Sequence, residues 1–312
     1  VIIRVLLRYL LSLFLGSLIV FALLRAIPGD PARVALGVTA TDEAVATLAA
    51  QLGTDRSLIA QYFSWIGGLL TGDFGVSLAS RQDITPLILD RAQVSMILVG
   101  TAMVFSVVIA IPMGMWAARR SSRIDGALVA GSSQIGIAIP SFLAGILLVT
   151  VFSVQLGWFP ANGWIPPGAD FLGFLHRLVL PVIALTAVQA AMLTRYIRSA
   201  ILEIIDGDFI RTSRSTGASI SQALRRHGLR NAALPVLTVT GLQLTALVVG
   251  AVVIERVFLI PGLGSMLLDA LAQRDLTTVQ SIVMVLVVFT LTVNLLVDLA
   301  YRLVDPRIGS NA

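Results

Sequence analysis

Residues Asp208 to Pro235, DFIRTSRSTGASISQALRRHGLRNAALP, form the only sizeable polar segment in the second half of a very apolar chain. Arg211, Arg214, Arg225, Arg226 and Arg230 lie within it, and Arg198 stands shortly before it. Ser219 followed three residues later by Gln222 spells a capping box, which predicts a short helix opening there. Gly217 suits the left-handed turn that ends a preceding helix. On the short helix Ile220, Ala223, Leu224 and His227 share one face, with Gln222, Arg225 and Arg226 on others. The segment reads as helix, glycine turn, helix, then Pro235 entering the next apolar run. A connection of this length is uncommon without a role; the plainer alternative is a basic loop placed by the positive-inside rule.

The apolar surroundings set the class. The chain has 312 residues, 57% of them apolar and 12% charged, with a mean hydropathy of +0.92. Those values exclude a soluble globular domain. Several runs near 20 residues can each cross a hydrocarbon core of about 30 Å. The net charge of +5 rests on arginine, since no lysine is present. In a membrane protein such charge reports orientation and lipid headgroups before nucleic acid. With no cysteine, disulfides, thiolate metal sites and a cysteine nucleophile are excluded.

Six spans follow in order. Arg4 and Arg8 precede an apolar run from Tyr9 to Leu24, read as an uncleaved first helix because no small-x-small cleavage site follows. Pro28 and Pro31 stop it. From about Ala32 to Arg91 hydrophobicity falls, and amphipathic pieces such as Ile59, Tyr62, Phe63, Ile66 and Leu69 alternate with Gly-Asp turns. This stretch is expected to lie on the membrane surface and, being too small to fold independently, to pack on the bundle. Further spans are expected at about 94–118, 126–156 (long enough to tilt or break at Pro140), 178–201 (interrupted by Pro181), 235–257 and 278–301. Trp158, Phe159 and Trp164 mark a headgroup boundary, and Pro261-Gly262-Leu263-Gly264 an outside loop. With both ends inside, 14 arginines fall inside and 8 outside, most of the 8 in the long first loop that the rule governs weakly.

Three stretches carry a family resemblance. Arg211 to Gly217 and Arg226 to Pro235 resemble the cytoplasmic coupling loop of ABC-importer permeases for dipeptides and oligopeptides, with Ser213, Ser215 and Thr216 departing from its usual spelling. Gln51 to Leu58, Gln61-Tyr62 and Gly72 to Ser77 resemble the first extracytoplasmic region of the B-type subunit, with Ser57 in place of a usual proline. Pro261 to Gly264 has the family's spelling too, so the match covers nearly the whole chain. The resemblance implies an all-α membrane protein of the type I importer kind, with six transmembrane helices. Its organisation would be an N-terminal helix at 1–27, a small extracytoplasmic subdomain at 28–93 and a five-helix core at 94–312, with the coupling loop at 204–234. It also implies a homologous second permease, two cytoplasmic ATPases and an extracytoplasmic substrate-binding protein, in a bacterial cytoplasmic membrane. Arg211, Thr212, Arg214, Gly217, Ser219, Ile220, Leu224, Arg226 and His227 would meet the ATPases.

Catalytic groupings are wanting. His176 and His227 fall on opposite membrane sides and neither has a carboxylate or histidine at metal-ligand spacing. No phosphate-binding G-x-x-x-x-G-K-[ST] occurs, and without lysine none can. The chain is therefore read as a non-catalytic subunit with no cofactor or metal of its own, ATP and Mg being bound by the partner ATPases. Gln189, Thr238, Gln243 and Thr245 are candidates for an uncharged translocation pathway; for each, helix packing is the alternative. Glu255, Pro261 and Gly262 are candidates for contact with the binding protein, against interfacial packing. Asp298, the one carboxylate inside a span, pairs by spacing with Arg302. Peptides are the leading cargo. Nickel or another small solute in the same architecture stands second, and an ion-coupled secondary transporter, which would show intramembrane charges and inverted repeats, is the rival from another class. A membrane enzyme is the third option.

Overall fold

A computed structural model describes residues 2–27, 31–37, 40–205 and 229–304, with residues 212, 215, 217 and 222 described singly between the last two segments. The chain is helical: α1 (Ile2–Arg25), α2 (Pro31–Leu36), α3 (Asp42–Leu52), α4 (Leu58–Thr71), α5 (Thr85–Arg119), α6 (Ile124–Ala138), α7 (Ser141–Leu148), α8 (Phe171–Ile205), α9 (Leu229–Val257), α10 (Leu263–Ala272) and α11 (Leu276–Val304). A wider π-helical stretch, Val149–Gln155, extends α7. Among the described residues no strand forms, and one antiparallel bridge pairs Val76 with Asp83.

Among the described residues five helices are long and apolar enough to cross a membrane. The third expected span takes the broken form allowed for it, a bent pair of α6 and the α7 segment meeting at 95°. Pro140 supplies the corner. It disfavours a helical conformation at Ile139, which turns extended (φ −87°, ψ 118°), and Pro140 itself caps α7. Pro181 behaves differently from expectation: α8 runs through it without interruption, with Pro181 buried. Pro235 opens the fifth span as expected, Pro235–Val257, while the helix that carries it, α9, begins earlier at Leu229. A proline inside a membrane helix forfeits one backbone bond, which packed neighbours can sustain. The expected loop at Pro261 to Gly264 is another correction. Gly262 is the N-cap of α10, and Gly262 to Met266 are buried.

The chain divides into two compact units. The first comprises Ser95–Ile260 and the chain from Val293. Its spine is α8, whose buried residues include Leu180, Leu185, Leu193 and Ile197. The helices α6, α7 and α9 pack on it. Approach is close because small residues stand at the crossings. A Cβ on Gly114 would lie 2.6 Å from Ile197 Cγ2, and one on Gly136 2.8 Å from Ala191 Cβ. The same holds where Gly241 of α9 meets Val297, at 2.4 Å. Gly250 on the same helix leaves ordinary room, with Leu185 at 3.7 Å.

The second unit comprises Ile2–Val94 and Pro261–Thr292, so residues 261–292 group with the N-terminal third. As expected, the amphipathic region leans on a long helix. Tyr62 of α4 is buried, its hydroxyl 2.8 Å from Ser17 of α1. Its ring meets Phe14 and Phe21 edge-on, and Trp65 stacks on Phe21. A small core of Ala32, Val45 and Leu48 joins α2 and α3, and a second forms from Ile84, Ile88, Leu263, Met266 and Ile282. The short helices are fixed by caps. Thr41 and Ser57 accept from the amides of Ala44 and Ala60, while Gly53 and Gly72 take left-handed φ of 68° and 84° at the other ends. Ser57, the departure from a usual proline, thus serves as an N-cap.

Candidate translocation and coupling surfaces

The long helix α8 leads from the apolar bundle toward the polar segment, and α9 returns from it. Of the residues expected to meet a partner there, Arg211, Arg214, Ser219, Ile220, Leu224, Arg226 and His227 lie outside the described residues. Thr212 is exposed, and its carbonyl accepts the Ser215 hydroxyl at 2.8 Å. Gly217 is exposed with φ +93°, and a Cβ there would meet nothing within 4 Å. Its constraint is therefore the backbone itself: the turn needs a left-handed residue whatever space surrounds it.

The four polar residues expected along a pathway divide in two. Gln189 is 4% exposed, and its Nε2 donates to Gln243 Oε1 at 3.2 Å, an amide pair joining α8 to α9. Thr245 is half-buried on the same helix, and its hydroxyl is sealed from solvent with no partner among the described residues. Thr238 is half-buried and already engaged in a polar interaction. Gln189 is thus enclosed by its own chain, while Gln243, Thr245 and Thr238 keep part of their surface. Around them the hydroxyls bond to nearby carbonyls: Thr186 to Ala102 across helices, Thr240 to Val236 one turn back. The interface is polar in places and carries no formal charge.

At the far end of α9 the expected contact residues are tied into the chain. Glu255 is 1% exposed, with its carboxylate accepting the Ser95 hydroxyl at 2.6 Å. Its carbonyl accepts the Ile260 amide at 2.8 Å, and the Phe258 carbonyl accepts the Gly163 amide at 2.8 Å. Gly262 is buried and Pro261 half-buried. The surface at this tip belongs to Leu259, 61% exposed and held at φ +50°. Asp298 is exposed on α11, and the side chain of Arg302 lies outside the described residues. Among the described residues no three His, Cys, Asp or Glu side chains stand close enough to share a metal ion.

Asp275 escaped the sequence reading. Its buried carboxylate caps α11 by accepting the Thr278 amide and hydroxyl, and it also accepts the Ser77 hydroxyl and the Leu78 amide at 3.0 Å. An aspartate just before an apolar run signals a cap. Its bond to a residue nearly two hundred positions away has no such signal.

Comparison with known families decides what this helical frame is. The model of the binding-protein-dependent transport system inner membrane component matches residues 110–310, and the model of that component's N-terminal region matches residues 1–99. The chain belongs to this family. Among related permeases, it is 35% identical over 296 residues to an oligopeptide transport system permease protein of Bacillus subtilis, covering 94% of this chain and 93% of that one. To the glutathione transport system permease protein of Escherichia coli it is 36% identical over 307 residues, covering 98% of each. A putative peptide transport system permease protein of Brucella abortus is 38% identical over 293 residues, with 94% and 93% covered. The permease fold is also that of a methionine ABC transporter solved in inward-facing form, with a TM-score of 0.59 at 20% identity, covering 71% of this chain and 97% of that one.

Proposed function

We propose that this chain is one permease subunit of an ATP-driven importer for di- and oligopeptides, forming half of the translocation pathway. The observation that carries the reading is the end-to-end match, over 94–98% of the chain, to permeases named for oligopeptides, peptides and glutathione. A homologous permease supplies the other half. Two cytoplasmic ATPases bind ATP and Mg, and an extracytoplasmic protein delivers the peptide. The chain sits in a bacterial cytoplasmic membrane with both termini inside, the orientation its arginine distribution favours. Closure of the ATPases moves the 204–234 segment, and the two permeases alternate access by tilting. That segment must act as a rigid lever, which a glycine held at φ +93° serves better than a flexible tether.

Reconstitution tests the reading. The chain alone in liposomes should neither hydrolyse ATP nor move solute down a proton or sodium gradient. With a second permease, two ATPases and a binding protein, ATP hydrolysis should rise when the binding protein is loaded with peptide, because a loaded partner drives the cycle only by preferring one state. Gradient-driven uptake by the lone chain would overturn the assignment. Stimulation by a nickel-loaded partner, with peptides inert, would overturn the cargo and leave the architecture. In the same system a charge at Gln243 or Thr245 should slow transport and leave peptide affinity of the binding protein unchanged. Orientation is checked with single cysteines, free of native background: Ser122→Cys should resist, and Ser80→Cys accept, an impermeant thiol reagent applied outside.

A further inference from the structure

A cavity of about 350 Å³ opens in the second unit, where the end of α1, the end of α3, the segment 73–78 and the first turns of α11 meet. One side of it is apolar, through Leu24, Leu52, Val76 and Leu276. The polar side is unbalanced in a way that specifies a ligand. Arg25 offers a guanidinium that lies 5.4 Å from the Phe21 ring and forms no ion pair among the described residues. Gln280 is 9% exposed and lines the cavity; its Nε2 has no acceptor among the described residues and faces away from the open volume, so it donates there only after a half-turn of the terminal amide. Donors left without acceptors beside an empty volume are costly unless a ligand supplies the acceptor. Asp73 lines the same cavity. One of its oxygens takes the Gly75 amide at 2.8 Å, which leaves the other for an incoming donor. The N-terminus of α11 itself is not the source of attraction, because the carboxylate of Asp275 already caps it.

We propose that this cavity holds the headgroup of an aminophospholipid, with its phosphate on Arg25 and Gln280 and its ammonium toward Asp73. The place favours a lipid over a free zwitterion. Arg25 ends one span and Leu276 begins another, so the cavity lies at the depth of the headgroups. The apolar wall suits the glycerol and the first methylenes of the chains. The inference rests on α1 and α11 being spans and is independent of the cargo.

Native mass spectrometry of the assembled complex in detergent, with defined lipids added, reads retention directly, and thermal unfolding reads stabilisation. Phosphatidylethanolamine should be retained and should raise the unfolding temperature. Arg25→Gln should weaken its binding at least about tenfold, the size of one lost charge-assisted contact. Asp73→Asn should keep phospholipid but abolish the preference for phosphatidylethanolamine over phosphatidylglycerol. Gln280→Leu should weaken binding several-fold without lowering stability in lipid-free detergent, since it removes a donor that had no partner. Arg274→Gln, exposed and off the cavity, should behave as the parent. Equal retention of all lipid classes would overturn the proposal, as would wild-type binding by Arg25→Gln. A dipeptide or inorganic phosphate that displaces the lipid from this cavity at comparable concentration would assign the site to a soluble ligand instead.

Discussion

The unit built on α8 and the unit built on α1 and α4 are held together by opposite means. In the first, helices approach because side chains are missing: Gly114 faces Ile197, and Gly136 faces Ala191. Its buried polar contacts between helices are sparse, such as the neutral Gln189–Gln243 pair and the Glu255 carboxylate on Ser95. In the second, short helices and loops are pinned by polar bonds between distant residues. Asp275 gathers Ser77, Leu78 and Thr278, Ser281 donates to the Phe74 carbonyl at 2.6 Å, and Tyr62 meets Ser17. Close packing spreads stability over many small contacts. Pinning concentrates it in a few groups, each costly to disturb.

The largest effect should therefore come from a pin. Asp275→Ala strands four donors, the Ser77 hydroxyl, the Leu78 amide and the amide and hydroxyl of Thr278, in buried surroundings, and should cost about 3 kcal/mol or more. Unfolding in detergent would show it, and Asp275→Asn should restore much of the loss. If Asp275→Ala unfolds no more easily than a neutral bundle substitution, the contrast between the units fails.

A glycine in a tight turn, just inside the start of α6, comes next. A Cβ on Gly126 would lie 2.0 Å from the Arg120 carbonyl oxygen, which is backbone and cannot swing aside. Gly126→Ala should cost about 2 kcal/mol through strain. Gly250→Ala has room at 3.7 Å, and should be neutral or gain up to about 1 kcal/mol from helix propensity. Equal destabilisation by the two would show that spacing is not what these glycines provide.

Gly217→Val sharpens the comparison at its edge, since it should spare both units. Left-handed backbone at a β-branched residue costs about 1–2 kcal/mol locally. The variant should insert and span normally but lose ATPase attachment or transport; wild-type transport with partners bound would refute the lever. Gln189→Leu should cost about 0.6 kcal/mol, the ordinary worth of an interhelical bond in a membrane. Asp298→Asn, at an exposed position, should change stability by no more than a few tenths of a kcal/mol and leave transport largely intact.

These differences track what the sequence could disclose. Each long helix was legible from local hydropathy, because crossing a bilayer demands a run of apolar residues whatever they pack against. The break at Pro140 was legible as a possibility, while the continuity of α8 through Pro181 was not. Whether proline ends a helix depends on neighbours that sustain the lost bond, and those come from elsewhere in the chain. α10 hid behind the spelling Pro-Gly-Leu-Gly, where turn residues outweighed the ten-residue apolar stretch that follows. At the candidate sites, the positive φ of Gly217 followed from its place between two helical patterns. The enclosure of Gln189 and Glu255 did not, because period and polarity give a face but not what covers it. Asp275 was missed for a related reason: half its bonds go to Ser77 and Leu78, far away in the chain.

The corner at Pro140 bears on how the chain is made. α6 has 15 residues and the second arm runs Ser141–Gln155, each about 22 Å long at 1.5 Å per residue. Neither reaches across a hydrocarbon core of about 30 Å. Both arms pack on α8, which leaves the ribosome only after them. A nascent chain halted at residue 156 therefore holds two arms whose main packing partner, α8, is still to be synthesised, and their final placement waits for it.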